Sequence, residues 1–270
     1  MKDLAFMSTN PKISILVSAR KNSKYLAKFL YGYLNNSAYP LEHEVLVMLN
    51  AHDTWNADMV EWIIAKQLYA PVNKRPFKFY REDLQLGRAG LHQYFNKLAK
   101  EGTGDWLIYF CEDHYINPPE KDPHNRAFAA RWDQYFLTRI DALKLNPNDI
   151  YCLVPKFDNC GAMNHMLSRG YYKALGGVMG HHGWIDSYIN DINRIAFGDH
   201  SEHVIKFDRE TFHDFTHDKP NPMSDAHMQS VVSEAGKNLP KYGGGHYEGL
   251  IQEDAAKLRL ALERGSSSNG

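Results

Sequence analysis

Cysteine is scarce in this chain: Cys111, Cys152 and Cys160 are the only three, and no two of them form a CxxC pair. That number and spacing suggest neither a disulfide framework nor a cysteine-held zinc, and all three read as reduced, structural thiols. Long apolar runs are missing too. Nothing approaches the roughly 18 apolar residues of a membrane helix, and Met1 to Asn10 lacks the basic and apolar blocks of a signal peptide. No membrane span and a cytoplasmic location are therefore expected. There is no excess of charge: a formal net charge of -1 gives no bulk attraction for nucleic acid or an anionic membrane. Nucleic acid is not indicated by charge, although it stays open as an acceptor. The sequence has no internal repeat. No GxGxxG follows the first apolar run, where Ser18-Ala19-Arg20-Lys21-Asn22 stands instead, so nicotinamide-dinucleotide chemistry ranks low.

What is present is enough apolar residue, 43%, for a sizeable core, arranged in alternating periods. Ile13 to Ser18, Glu44 to Leu49, Phe77 to Tyr80 and Trp106 to Phe110 read as short buried strands. Between them lie three helical patterns. The first runs through Tyr25, Leu26, Phe29, Leu30, Tyr33 and Leu34, the second through Met59, Val60, Ile63, Ile64 and Leu68, and the third through Leu91, Tyr94, Phe95 and Leu98. This alternation predicts βαβ units and a mostly parallel sheet covered on both faces, a Rossmann-like α/β layer. Farther on, the pattern predicts a helix from Phe128 to Leu143, a strand at Tyr151 to Val154, and a flexible glycine-rich stretch from Leu175 to Gly183. A helix over Trp184 to Ala196, a strand over Val204 to Phe207 and a polar loop from Asp208 to Met223 follow. A last helix spans Tyr247 to about Glu263, before a disordered tail at Gly265 to Gly270.

One segment carries most of the functional signal. In Asp105-Trp106-Leu107-Ile108-Tyr109-Phe110-Cys111-Glu112-Asp113-His114 an apolar strand ends in two adjacent acids and a histidine. Open α/β sheets bind ligands beyond the carboxyl ends of their strands, and carboxylates there suit a divalent cation with its phosphate ligands. Taken alone, CEDH reads more plainly as an acidic turn that caps a strand. Its surroundings shift that balance. ISILVSARKNSKYLAKFL, EVLVMLNAHDTW and LGRAGLHQYFNKLAKEGTGDWLIYFCEDHYINP, in that order, resemble the first strand-helix unit, the second strand and the DxD passage of the GT-A glycosyltransferases, particularly the inverting family 2. LSRGYYKALGGVMGHHGWIDSYINDINR is similar to the family stretch in which a glycine-rich loop leads into an acidic helix start. The likeness covers roughly residues 12 to 217.

The resemblance implies a Rossmann-like GT-A fold: a mostly parallel central sheet with flanking helices, here followed by a C-terminal helical arm. Residues 1–220 would form the catalytic domain, with 11–118 as the nucleotide-sugar half and 119–220 as the acceptor half, and 221–270 the arm. It implies transfer of a hexosyl or pentosyl group from a nucleoside-diphosphate sugar, a UDP-sugar first, to a hydroxyl acceptor, with Mn²⁺ or Mg²⁺ as cofactor. Donor contacts would come from Ser18, Ala19, Arg20, Asn50, Asp53, Arg81, Gly87, Arg88, Glu112, Asp113 and Trp184. Asp113 would hold the metal with His217 and His213, and Asp186 would be the catalytic base. If helical, the spacing of four would put both of those histidines on one face, whereas Pro220 and the polar composition favour a loop.

Two positions depart from the family pattern. Cys111 stands where the DxD motif begins with an acid, and Asn50 replaces the acid that closes the second strand. Asn50 can hydrogen-bond a base or ribose but supplies no charge; Asn50 and Asp53 also read as simple turn-formers. Two other functions fit parts of the same pattern. A nucleotidyltransferase uses a similar sheet and metal but carries a glycine-rich phosphate loop that Ser18 to Asn22 lacks. A non-catalytic nucleotide- or sugar-binding module would accommodate Cys111.

Overall fold

In the computed structural model, the described residues are 12–19, 23–50, 77–82, 86, 90–111, 114–117, 131–158, 164–181, 185–198, 201–214 and 245–267. Their strands are β1 (Ile13–Ala19), β2 (Glu44–Asn50), β3 (Phe77–Glu82), β4 (Trp106–Cys111), β5 (His114–Ile116), β6 (Cys152–Phe157), β7 (Met166–Ser168) and β8 (Val204–Asp214). Their helices are α1 (Ser23–Asn36), α2 (Leu91–Glu101), α3 (Trp132–Ala142), α4 (Arg169–Ala174), α5 (Ile185–Phe197) and α6 (Gly245–Ser267). The expected helix at Met59 to Leu68 falls outside the described residues.

The strands form one sheet in the order β3-β2-β1-β4-β7-β6-β8-β5. β1, β2, β3, β4, β6 and β8 run one way, while β7 and β5 run against them. Every residue of β1 is buried, as a parallel strand covered on both faces requires, whereas the edge strand β3 leaves Lys78 and Arg81 exposed. Period-two sorting then builds two apolar layers. Ile13, Ile15, Val17, Val45, Val47, Ile108 and Phe110 meet Leu26, Phe29 and Tyr33 of α1 and Trp132 and Phe136 of α3. On the opposite face, Leu16, Leu46, Leu107 and Tyr109 meet Phe95 and Leu98 of α2, Tyr171 of α4, Ile185, Tyr188 and Ile189 of α5, and Tyr247, Ile251 and Leu258 of α6. The C-terminal helix is thus part of the core.

Several sequence expectations are corrected. The α3 helix starts at Trp132 and not at Phe128, because Arg131 is extended at φ -67° and ψ 161°. Asp208 to Asp214 is strand and not loop: it pairs with β6 on one side and β5 on the other, and two-sided pairing outweighs the weak β-propensity of its polar residues. Gly265 to Ser267 continues α6. The stretch expected to be flexible is tied down through residue 181. Gly176 and Gly177, at φ 74° and 80°, close α4, and Met179 is fully buried, its N–H donating to Asn96 Oδ1 of α2 at 2.8 Å.

Candidate active site

Because six strands are co-directional, their carboxyl ends share one edge, and the antiparallel β7 begins there. Register brings Ser18 beside Cys111 and Met48, Ala19 beside Leu49, and Leu49 beside Arg81. Ser18 and Ala19 are buried, Arg81 is exposed, and Asn50 ends β2. Four of the expected donor contacts, Ser18, Ala19, Asn50 and Arg81, therefore lie along one sheet edge. Arg20, Asp53, Gly87, Arg88, Glu112, Asp113, Trp184 and His217 lie outside the described residues.

The same edge carries two polar clusters around the strand that leads to Asp113. At the end of β6, Asp158 Oδ2 accepts from Asn117 Nδ2 at 2.9 Å, and its Oδ1 is 2.6 Å from His213 Nδ1. His213 is on β8 and pairs with Tyr115, so its place is in a strand, not on a helical face shared with His217. A carboxylate on one imidazole nitrogen fixes the tautomer and leaves the lone pair on the other, the usual outer partner of a metal-bound histidine. The donor chemistry at His213 thus suits a divalent ion. Among the described residues, however, no three His, Cys, Asp or Glu side chains cluster closely enough to hold one.

Next to it, His114 Nδ1 receives the Cys111 N–H at 3.2 Å and lies 2.7 Å from Asn164 Nδ2, while its ring packs edge-on against Phe110 and Phe157. Asn164 has φ 53°. Asparagine is among the few residues that tolerate this left-handed conformation, and here it directs a buried amide at the residue after Asp113.

Asp186 occupies the first turn of α5 and is half-buried. The helix forms because Ile185, Tyr188, Ile189 and Ile192 make one apolar stripe against the second layer. Asp186 stands close to β4: burial first, and then its negative charge, push the Tyr109 phenol well above its ordinary pKa. Beside both lies His165, fully buried, with Nδ1 3.3 Å from Tyr109 Oη and Nε2 2.8 Å from Asn190 Oδ1. Burial lowers the His165 pKa, opposed by the Asn190 hydrogen bond and by the charge of Asp186. Asp191 points elsewhere, toward Arg194 at 3.5 Å and Tyr247 Oη at 3.5 Å of α6.

Sequence reasoning missed Asp158, Asn164, His165 and Asn190. Only Asn190 carried a local signal, one helical turn beyond Asp186; the others reach the site through sheet order.

The curled eight-stranded sheet with its flanking helices is the GT-A fold. Similar solved structures bear this out: TarS 1-349 of S. aureus in complex with UDP superposes with a TM-score of 0.55 at 13% identity, over 90% of this chain and 70% of that one. The same protein in complex with UDP-GlcNAc gives 0.53 at 13% identity, over 91% and 72%. The mannosyltransferase PcManGT of Pyrobaculum calidifontis, in complex with GDP-Man and Mn²⁺, gives 0.50 at 13% identity, over 96% and 76%. No protein-family model matches the sequence, and no curated protein matches it significantly. Among the described residues, no helix is long and apolar enough to cross a membrane.

Proposed function

We propose that this chain is a nucleotide-sugar glycosyltransferase that transfers a sugar to an acceptor hydroxyl with inversion, and that Asp186 is its general base. One observation carries the reading. Six co-directional strands bring Ser18, Ala19, Asn50 and Arg81 to the sheet edge that β4 also reaches just before Asp113, and the acid-bearing end of α5 meets β4 from the second helix layer. That arrangement would set donor and base on either side of one strand end, as a single displacement needs. The GT-A proteins similar in fold hold UDP, UDP-GlcNAc or GDP-Man, which supports this class of donor.

Ser18 and Ala19 would border the nucleotide, and Arg81 would meet diphosphate oxygens. Asp113, with His213 and His217, would hold Mn²⁺ or Mg²⁺, which supplies Lewis-acid neutralisation of the diphosphate leaving group. Asp158, by fixing the His213 tautomer, would keep that imidazole ready to bind. Asp186 would take the acceptor proton, help typically worth about 10²–10⁴-fold. The test is Asp186→Asn: kcat should fall at least about 10²-fold while UDP affinity stays near wild type. Near-normal turnover in that variant, or a product that keeps the donor's anomeric configuration, would refute the base. A wild-type protein that binds UDP but releases none from any UDP- or GDP-sugar would instead point to a binding module.

A further inference from the structure

We infer that His165 is a positioning residue for the base, clamping helix α5 to strand β4 through the side chain of Asn190 and so fixing the face that presents Asp186. This rests on the assignment of Asp186 as the base. The apolar stripe of α5 ensures that the helix packs, but Asp186 and Asn190 are not part of it. They are four residues apart, so they stand one above the other on the same helical face. Burial of the stripe sets the rotation of that face coarsely, and directional bonds refine it: Tyr171 Oη donates to Asn193 Oδ1 at 2.8 Å and Tyr188 Oη to Asp254 Oδ2 at 2.9 Å, while the bond at Asn190 holds the residue one helical turn beyond Asp186.

The hydrogen-bond pattern supplies such a bond. The Asn190 amide oxygen only accepts, so the proton between them sits on His165 Nε2. His165 Nδ1 then accepts from the Tyr109 hydroxyl, which burial keeps protonated. The chain therefore runs one way, from Tyr109 O–H to His165 and from His165 N–H to Asn190, and it uses a neutral ring. Both partners are held: Tyr109 by a central strand and the ring by complete burial at the start of β7. The residues facing the ring are Tyr109 from β4 and Asp186 and Asn190 from α5.

Three variants test the clamp: His165→Leu, His165→Gln and Asn190→Leu. His165→Leu keeps an apolar filler, so UDP affinity measured with Mn²⁺ should stay within about twofold, while kcat for water-driven UDP release from UDP-GlcNAc falls about 10–100-fold with KM little changed. Asn190→Leu should match it. His165→Gln, whose amide can still donate to Asn190, should return kcat to within about threefold of wild type. Wild-type kcat in His165→Leu, or His165→Gln as slow as His165→Leu, overturns the clamp. Nitrogen NMR gives a reading that does not depend on turnover. The His165 ring should stay in the Nε2–H form below the pH at which an ordinary imidazole protonates, because burial disfavours its charged form, and Asp186→Asn should move its protonation to still lower pH. An ordinary imidazole titration, indifferent to Asp186→Asn, overturns the clamp as well. A wild-type protein that neither binds UDP nor turns over a nucleotide sugar defeats the glycosyl-transfer reading, and the spectrum then decides the clamp by itself.

Discussion

Removing the carboxylate of Asp254 should loosen the packing of α6 against the acceptor half. Asp254 is 1% exposed and accepts from Tyr188 Oη of α5 at 2.9 Å and from Lys257 Nζ at 2.8 Å, while His181 Nε2 lies 3.4 Å away. It joins the C-terminal helix both to the helix that carries Asp186 and to the loop that leads into it. Burial alone would raise its pKa, but the bonds from His181, Lys257 and Tyr188 outweigh burial and hold it below the ordinary carboxylate range. In Asp254→Ala the buried Tyr188 hydroxyl loses its acceptor, at a cost of about 1–3 kcal/mol, and His181 loses its partner. Lys257 is 38% exposed and rehydrates, so its loss adds little. The total is about 2–3 kcal/mol, which for a chain of this size corresponds to a fall in melting temperature of roughly 5–10 °C. Thermal unfolding followed by circular dichroism is the assay, with Lys257→Ala as the control expected to shift by less than about 2 °C. If Asp254→Ala melts within about 2 °C of wild type, or if Lys257→Ala falls as far, the buried carboxylate is not the element joining α6 to α5.

Asp113→Ala should abolish Mn²⁺-dependent UDP binding while changing the melting temperature by only a few degrees, and His213→Ala and His217→Ala should weaken metal affinity without eliminating it; calorimetric titration with Mn²⁺ reads all three. Asp191→Asn should leave kcat within about threefold of wild type, because its carboxylate faces Arg194 and Tyr247 and not His165; steady-state rates check this. Gly104→Ala should destabilise by about 3 kcal/mol in urea unfolding, since its new Cβ would stand 2.6 Å from the Ser14 backbone nitrogen. Glu44, Asp133 and Asp254 all have folded pKa values held below their ordinary ones. Their stabilisation is therefore full above about pH 5 and is lost as pH falls through about 4 and below. Acid titration of stability should show that limb, and Asp254→Asn should flatten it.

Much of the architecture was legible in the residues because it depends on local period. The mainly apolar runs of β1, β2 and β4 and the stripes of α1, α2 and α5 each specify one element, and their alternation specifies a parallel sheet. The resemblance to the GT-A glycosyltransferases named Ser18, Ala19, Asn50 and Arg81 as donor contacts, and the register of β1, β2 and β3 sets these four along one sheet edge. Three-residue strands such as β5 and β7 are too short to show a period, and the polar second half of β8 becomes a strand only because partners flank it on both sides. His165 illustrates the rest. In the sequence it is one of fourteen histidines, 21 residues from Asp186 and 56 from Tyr109. The antiparallel insertion of β7 between β4 and β6 brings it beside both, and burial there lowers its pKa and leaves its nitrogens only Tyr109 and Asn190 to bond. Sequence period determined the elements and the edge at which the site forms. Strand order, which joins residues far apart in the chain through hydrogen bonds and shared burial, decided which side chains meet there.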